Sequence, residues 1–341
     1  MTWRPILRFH TLAPASVALA AFLALAGVPI TSAQGPILFT AHLNGVLPVD
    51  APFDPAWDGV RPVDVALSGQ PVVPPMLLDP AFPSVRVRAV ENGEQFAVLL
   101  EWSDPTLDDS VLAVDSFADA AAMQVALGTG TSICMGQQAG ALNIWHWKAD
   151  WAADLAGRRN LEDVHPEMPT DEHFPATDDL GPDGFLTGTQ AGNTRSATTL
   201  ASSVEDLNAV GFGSLTPQPS DRQNVHGASE YRADVWRVVM SRDLLTSDPN
   251  DAVLRPGDAA AVVAFALWDG SRGDRDGQKS VSTWLSFVVS QPAADLSDTW
   301  PFLVMVLLVI AMSGLLMYYG ARQPAIGLGG PGARMEHQDG G

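Results

Sequence analysis

The sequence predicts a mainly β protein: an antiparallel β-sandwich with long loop excursions and a few short helices, plus one C-terminal transmembrane helix. Three observations carry that prediction. Short runs rich in valine and tryptophan recur between proline and glycine breaks through the middle of the 341-residue chain, as strands bounded by turns do. Two of these runs flank Asn92-Gly93, a pair that accepts the positive φ angles of a tight hairpin. Near the end, FLVMVLLVIAMSGLLMYYG, Phe302 to Gly320, carries no charge, and about 20 apolar residues suffice to cross a bilayer.

Arg4 and Arg8 precede an apolar run from Ala13 to Ile30, and Thr31-Ser32-Ala33 places small residues before Gln34. This reads as a signal peptide over 1–33, with an uncleaved N-terminal anchor as the competing reading. Residues 34–298 then make an extracytoplasmic domain of roughly 265 residues, ample for a large core. Within it VRVRAV, Val85 to Val90, and EQFAVLLEW, Glu94 to Trp102, form the hairpin. AAMQVAL, LNIWHWKADW, DVWRVVMS, AAVVAFALW and SVSTWLSFVV continue the series of strands.

Between Asn160 and Asn224 the pattern disappears into Asp, Gly, Pro, Ser and Thr, which reads as long excursions on the sandwich. AVLLEWSD, ending at Asp104, and AFALWDGS, containing Asp269, end alike. Shared strand-end chemistry explains that echo better than an internal repeat. Residues 299–321 read as the anchor, with Trp300, Tyr318 and Tyr319 where interfacial aromatics belong. Asp295 and Asp298 lie before it and Arg322 after it, which places the short tail 322–341 in the cytoplasm and the domain on the periplasmic side of a single-pass protein.

The formal charge of −20 excludes a nucleic-acid binder, because phosphates are held by lysine and arginine. It suits a cationic partner or adaptation to salt. Cys134 is the only cysteine, so an internal disulfide, a CxxC zinc site and a CxxCH haem attachment are all excluded. There is no GxSxG, HExxH or P-loop, and no spacing selects a nucleophile or a carboxylate pair. The acidic run DDLGPDG, Asp178 to Gly184, resembles a calcium loop in composition alone and reads as a solvated loop.

Lys279 is the anomaly. It is one of two lysines in the chain, and a strand starting there places it on the same side as Val281, Leu285 and Phe287, opposite Ser280, Ser282, Trp284 and Ser286. A strand-end lysine reaching back to water along its stem explains the residue taken alone. Met135, in SICMGQQAG, sits in a glycine-flanked turn where a thioether has no core to fill. His146 in NIWHWKADW shares a face with Lys148, which reads as a polar outer face.

SICMGQ, then NIWHWKADW, then VWRVVMSRDL, then AFALWDGSRGDRDGQKSVSTW, in that order, resemble the haem b or γ subunit of the type II dimethyl sulfoxide reductase family. That family includes the ethylbenzene, dimethyl sulfide, chlorate, selenate and some nitrate or nitrite enzymes. The resemblance runs from about Phe53 to Val289. It implies one non-covalent haem b with iron between Met135 and Lys279, and Lys148 as the runner-up ligand. Cys134, a soft neighbour of Met135, departs from the expected setting, and so does the C-terminal anchor.

The resemblance also implies a non-catalytic electron-transfer subunit. Its partners are an iron–sulfur subunit, a molybdopterin catalytic subunit, and a cytochrome c or quinone-linked carrier. A lysine ligand must be neutral, well below its reference pKa of about 10.4, and burial moves it that way. Arginine could not replace it, having no free lone pair. The rival class is a membrane-anchored carbohydrate- or ligand-binding sandwich without haem, for which the ten tryptophans would supply the surface. Most of those tryptophans lie in strands and are more simply core.

Overall fold

The computed structural model describes residues 37–126, 141–169, 193, 200–211, 213–257, 261–290 and 300–320, with side chains as far as 315 in the last segment. The expectations placed on 1–33, Cys134, Met135, Asp178 to Gly184 and 322–341 lie outside the described residues. The chain divides into two units after Gln291.

In the first unit β1 (Ile37–Phe39) and β2 (Ala41–His42) lead into β3 (Val63–Gly69), β4 (Ser84–Glu91) and β5 (Gln95–Ser103). Next come β6 (Ala120–Ala126), β7 (Leu142–Lys148), β8 (Val204–Ala209) and β9 (Thr216–Pro217). The series closes with β10 (His226–Tyr231), β11 (Val235–Asp243), β12 (Ala261–Trp268), β13 (Ser280–Ser282) and β14 (Leu285–Val288). Hydrogen bonding follows the order β10-β11-β5-β4-β3-β13-β12-β6-β7-β8-β9. The ladder is antiparallel except where β1 joins β14 and β2 joins β4.

The ladder folds over on itself at the β3–β13 pairing, so that two sheets face one another. Phe96 of β5 meets Trp145 of β7 at 5.5 Å and Phe287 of β14 at 5.4 Å, and Trp102 meets Trp147 at 6.1 Å. Such tilted and edge-on aromatic pairs add about 0.5–1.5 kcal/mol each beyond their buried area. Val85, Val87 and Ala89 from one sheet and Ala121, Met123 and Val125 from the other fill the remaining core at alternate positions, as the two-residue period of a strand requires. Seven of the tryptophans are buried, Trp57, Trp145 and Trp147 completely. The Asn92-Gly93 hairpin forms between β4 and β5: Gly93 takes φ +89°, and the Asn92 side-chain oxygen accepts from the N–H groups of Glu94 and Gln95.

Four expectations change. The strand read through LNIWHWKADW stops at Lys148, and Ala149–Asp154 is a short helix. Val204–Ala209 is a strand inside the stretch read as patternless; Asp206 is fully buried there, so a carboxylate at an inward position breaks the apolar alternation. The strand read through SVSTWLSFVV is interrupted at Thr283 and Trp284, which reverses the side on which Leu285 and Phe287 fall.

The fourth concerns the transmembrane helix. The second unit contains a helix from Trp300 to Gly320. Its described side chains end at Leu315, and among the described residues no helix is long and apolar enough to cross a membrane.

Candidate cofactor site on the outer face of one sheet

The sheet β12-β6-β7-β8 is apolar on both faces. One face joins the sandwich core. The other presents Ala120, Ala122, Leu142, Ile144, Leu207, Ala209, Ala266 and Trp268 as a separate apolar cluster. A cavity of about 760 Å³ lies over this second face, within the range of about 300–1,000 Å³ that small-molecule sites occupy. Ala120, Ala122, Ile144, Leu207 and Ala209 form its floor, and Gly211, Gly213 and Leu215 continue it beyond β8. The alanines keep the floor flat and shallow, and the backbone beneath them is hydrogen-bonded in the sheet.

Lys279 lines this cavity. It lies at the bend before β13, is only 7% exposed, and holds Nζ 5.0 Å from the ring centroid of Trp268. Burial lowers it to about 8 against the opposing pull of Asp276. Val281 and Trp284 pack on the same outer cluster, whereas Leu285 and Phe287 belong to the sandwich core. The side shared by Lys279 is therefore the cavity side, and Leu285 and Phe287 are on the other one. Ser280, fully buried on the inward side, accepts from the Phe82 N–H.

The bend is held from outside. Gln70 Nε2 donates to the Gly277 carbonyl at 2.8 Å, and a Cβ on Gly277 would stand 2.6 Å from the Pro75 carbonyl oxygen. Glycine is thus required there by close backbone approach. Arg275, two residues earlier, lies over Phe117 at 5.2 Å and also lines the cavity.

Lys148 lines the cavity as well but is committed elsewhere. Its Nζ pairs with Glu205 at 2.5 Å and sits 4.0 Å from the Trp151 ring. His146 projects from the same face of β7, 4.9 Å from Trp268, so the face read as polar and outward is outward but closed over by the cavity. Burial, reinforced by Lys148 and Lys279, holds the imidazole well below its ordinary value, and its Nε2 is buried with no hydrogen-bond partner among the described residues. The structure thus brings Lys279, Lys148 and His146 to one cavity; Met135 lies in the 127–140 connection between β6 and β7, outside the described residues.

His146, Trp268, Arg275 and Gly277 were not singled out as site residues from the sequence. The signal for Gly277 was present in the spacing Gly273-Asp-Arg-Asp-Gly277, a turn two residues before the anomalous lysine. His146 could have been found only by knowing that the outer face of β7 is covered.

Fold and site together define a β-sandwich that carries an apolar, amine-bearing cavity on one outer face. The chain belongs to the ethylbenzene dehydrogenase family, whose sequence model matches residues 54–280. It is 28% identical over 271 residues to the "Putative respiratory nitrate reductase heme subunit ORF7" of Haloferax mediterranei, covering 76% of this chain and 79% of that protein. It is 33% identical over 217 residues to the dimethylsulfide dehydrogenase subunit gamma of Rhodovulum sulfidophilum, and 27% identical over 197 residues to the chlorate reductase subunit gamma of Ideonella dechloratans.

These last two matches cover 61% and 57% of this chain and 61% and 60% of the two relatives, less than two thirds of their length. The resemblance to γ subunits of the type II dimethyl sulfoxide reductase family, drawn from the four motifs, therefore stands. Among solved structures, a family 9 carbohydrate-binding module from Caldicellulosiruptor kristjanssonii in complex with glucose matches with TM-score 0.37 and 8% identity, over 76% of this chain and 98% of that one. The same module with cellotriose matches with TM-score 0.36 and 9% identity, over 76% and 97%.

Proposed function

We propose that this chain is the haem b electron-transfer subunit of an extracytoplasmic molybdenum oxidoreductase, with Lys279 and Met135 as the axial ligands. The observation that carries the reading is Lys279, an amine on an apolar cavity wall whose pKa burial lowers to about 8. A neutral amine offers the lone pair that iron needs, and coordination drives deprotonation the rest of the way.

The residues present fit the group. The floor of alanines accepts a flat apolar ring, and the orphaned Nε2 of His146 marks an unfilled polar position in the wall. Arg275 at the rim offers a cation for a carboxylate. Met135 belongs to the connection that leaves Ala126 and returns at Leu142, both of which belong to or pack on the outer apolar cluster. Lys148 stays the runner-up ligand, and its ammonium is paired with Glu205.

A b-type haem supplies a one-electron carrier, and with both axial positions filled it offers no open site for a substrate. The surrounding residues then have three tasks: to hold the ring, to keep the Lys279 amine neutral, and to exclude water. The names of the relatives, a nitrate reductase heme subunit and two gamma subunits, support an iron–sulfur subunit and a molybdopterin catalytic subunit as partners. A cytochrome c or quinone-linked carrier stands on the other side. In the sequence itself, the run at 1–33 and the uncharged run Phe302 to Gly320 are what support export and a tail anchor, with the C-terminus in the cytoplasm.

The test is one spectrum. Purified protein should show a reducible low-spin haem absorption, released by acid acetone. A colourless, fully folded preparation that takes up no added haem would end the proposal in favour of a binding module.

A further inference from the structure

Beside the cavity, whose wall includes Asp119, four aspartates converge from two connections, β5–β6 and the one that follows β12. Asp104 follows β5, Asp108 lies four residues on, Asp119 precedes β6, and Asp269 follows β12. Asp104, Asp119 and Asp269 are 0%, 0% and 7% exposed. One carboxylate oxygen each from Asp108, Asp119 and Asp269 lie within 4.8 Å of one another, and the charge of Asp104 is felt by Asp119 while those of Asp108 and Asp269 are felt by Asp104. Among the described residues no lysine, arginine or histidine forms an ion pair with any of the four.

Uncompensated buried carboxylates at this separation repel one another, so such a group persists only with shared protons or a cation. Burial pushes Asp104 and Asp119 up, and their hydrogen bonds pull in the opposite direction, toward the ionised forms. Asp119 accepts from the N–H groups of Asp108 and Gly270 and from Trp236 Nε1, all at 2.9–3.0 Å. Asp269 accepts from Ser271 Oγ and the Arg272 N–H, and Asp104 Oδ1 accepts from the N–H and hydroxyl of Thr106. Two oxygens are left over: Asp104 Oδ2 and Asp108 Oδ2 are buried and have no hydrogen-bond partner. A fully buried carboxylate oxygen with no partner among the described residues, close to three clustered carboxylates, is a potential ligand.

We infer that Asp104, Asp108, Asp119 and Asp269 bind a hard divalent cation of the calcium class. Oxygen-only donors select hard cations. Calcium accepts several protein carboxylates at about 2.3–2.6 Å, whereas magnesium keeps most of its waters and disfavours an all-protein cage. Two oxygens on opposite sides of calcium stand about 4.8 Å apart at that bond length, the separation within which the three carboxylates already lie.

The proposal does not rest on the haem reading, and it gives the echo between AVLLEWSD and AFALWDGS a role: the two similar strand ends bring Asp104 and Asp269 close enough for their charges to interact. It also ties the β5–β6 connection to the end of β12, where Gly270 fits directly against the Phe117 carbonyl and a Cβ would stand 2.5 Å from that of Asp108.

The experiment uses the full chain in detergent, stripped with a chelator and titrated with terbium. Trp236, bonded to Asp119, should sensitise terbium emission with one ion per chain. Calcium should displace terbium about tenfold or more better than magnesium does. Saturating calcium should raise the melting temperature by about 5 °C over chelated protein. Trp236→Phe should keep the thermal response and dim the emission.

Asp108→Asn, at the partly exposed corner of the cluster, should abolish both responses. A melting temperature indifferent to chelator and to millimolar calcium would overturn the inference, and so would terbium emission that survives in a folded Asp108→Asn. Should Asp108→Asn fail to fold, the calcium dependence of the unsubstituted protein decides alone.

Discussion

Gln70 grips the backbone two residues ahead of Lys279. Its Nε2 donates at 2.8 Å both to the Gly277 carbonyl and to that of Val73, while its Oε1 accepts from the N–H groups of Val72 and Val73. One side chain thus fastens the lysine-bearing bend to the loop after β3, and the position of the amine depends on a hydrogen bond made two residues earlier.

Gly277→Ala should therefore disturb the lysine without altering it. The new methyl would stand 2.6 Å from the Pro75 carbonyl, so the backbone must move. A stability loss of about 1–3 kcal/mol, read by denaturant unfolding, should accompany a changed low-spin spectrum. An unchanged spectrum together with an unchanged midpoint would show that the bend tolerates the displacement.

The two lysines should separate cleanly. Lys279→Ala and Lys279→Arg should each alter the low-spin absorption or lose haem, and Met135→Ala should do the same from the other side. Lys148→Ala should keep the spectrum and cost about 1–3 kcal/mol, since it removes the partly buried Lys148–Glu205 ion pair. The reverse pattern, with Lys148→Ala alone abolishing the absorption, would reassign the ligand.

Filling the cavity should remove the cofactor and spare the fold. Ala122 points from β6 into the cavity and is 3% exposed. Ala122→Leu places three more carbons there without entering the sandwich core. Haem content should fall at least tenfold on a scale where about 1.4 kcal/mol is a factor of ten, with circular dichroism unchanged. Full haem loading in this variant would mean that the cavity is not the binding site.

Asp206 governs a pH dependence of its own. Burial raises it from 3.8 to about 7, with Asp251 adding and Asn143 and Arg242 opposing. A folded pKa above the unfolded one gives stability that is complete below about pH 4 and lost as pH rises through 7. The loss is at most about 4 kcal/mol at about 1.4 kcal/mol per unit. Asp206→Asn should therefore gain on the native protein between pH 4 and pH 8, as chemical denaturation at the two ends would show. A constant difference across that range would mean that Asp206 is ionised throughout.

Most of the sandwich was legible because its strands obey a two-residue period: β4, β5, β11 and β12 appear within a residue or two of where valine and tryptophan place them. β8 was hidden because Asp206 and Asn208 sit inside it, and a buried acid paired with Asn143 at 2.6 Å looks like a loop residue in one dimension. Lys279 was legible as an anomaly, yet its face was half misread. Thr283 and Trp284 interrupt the strand, and counting by twos cannot cross a break. His146 and the four aspartates were illegible in a different way. Asp104 and Asp269 are 165 positions apart in sequence, and only pairing of β12 with β6 brings the loops that carry them together.

The alanine floor has a consequence for how the sequence can drift. Ala120, Ala122 and Ala209 sit on a backbone pinned by hydrogen bonds in the sheet, so the floor can neither sink nor rise. Every replacement other than glycine adds atoms on the cavity side, and glycine weakens the strand. Mutation at these positions is a one-way valve: it can narrow the chamber and can scarcely enlarge it. A lineage that gave up its guest would silt up at these three methyl groups first.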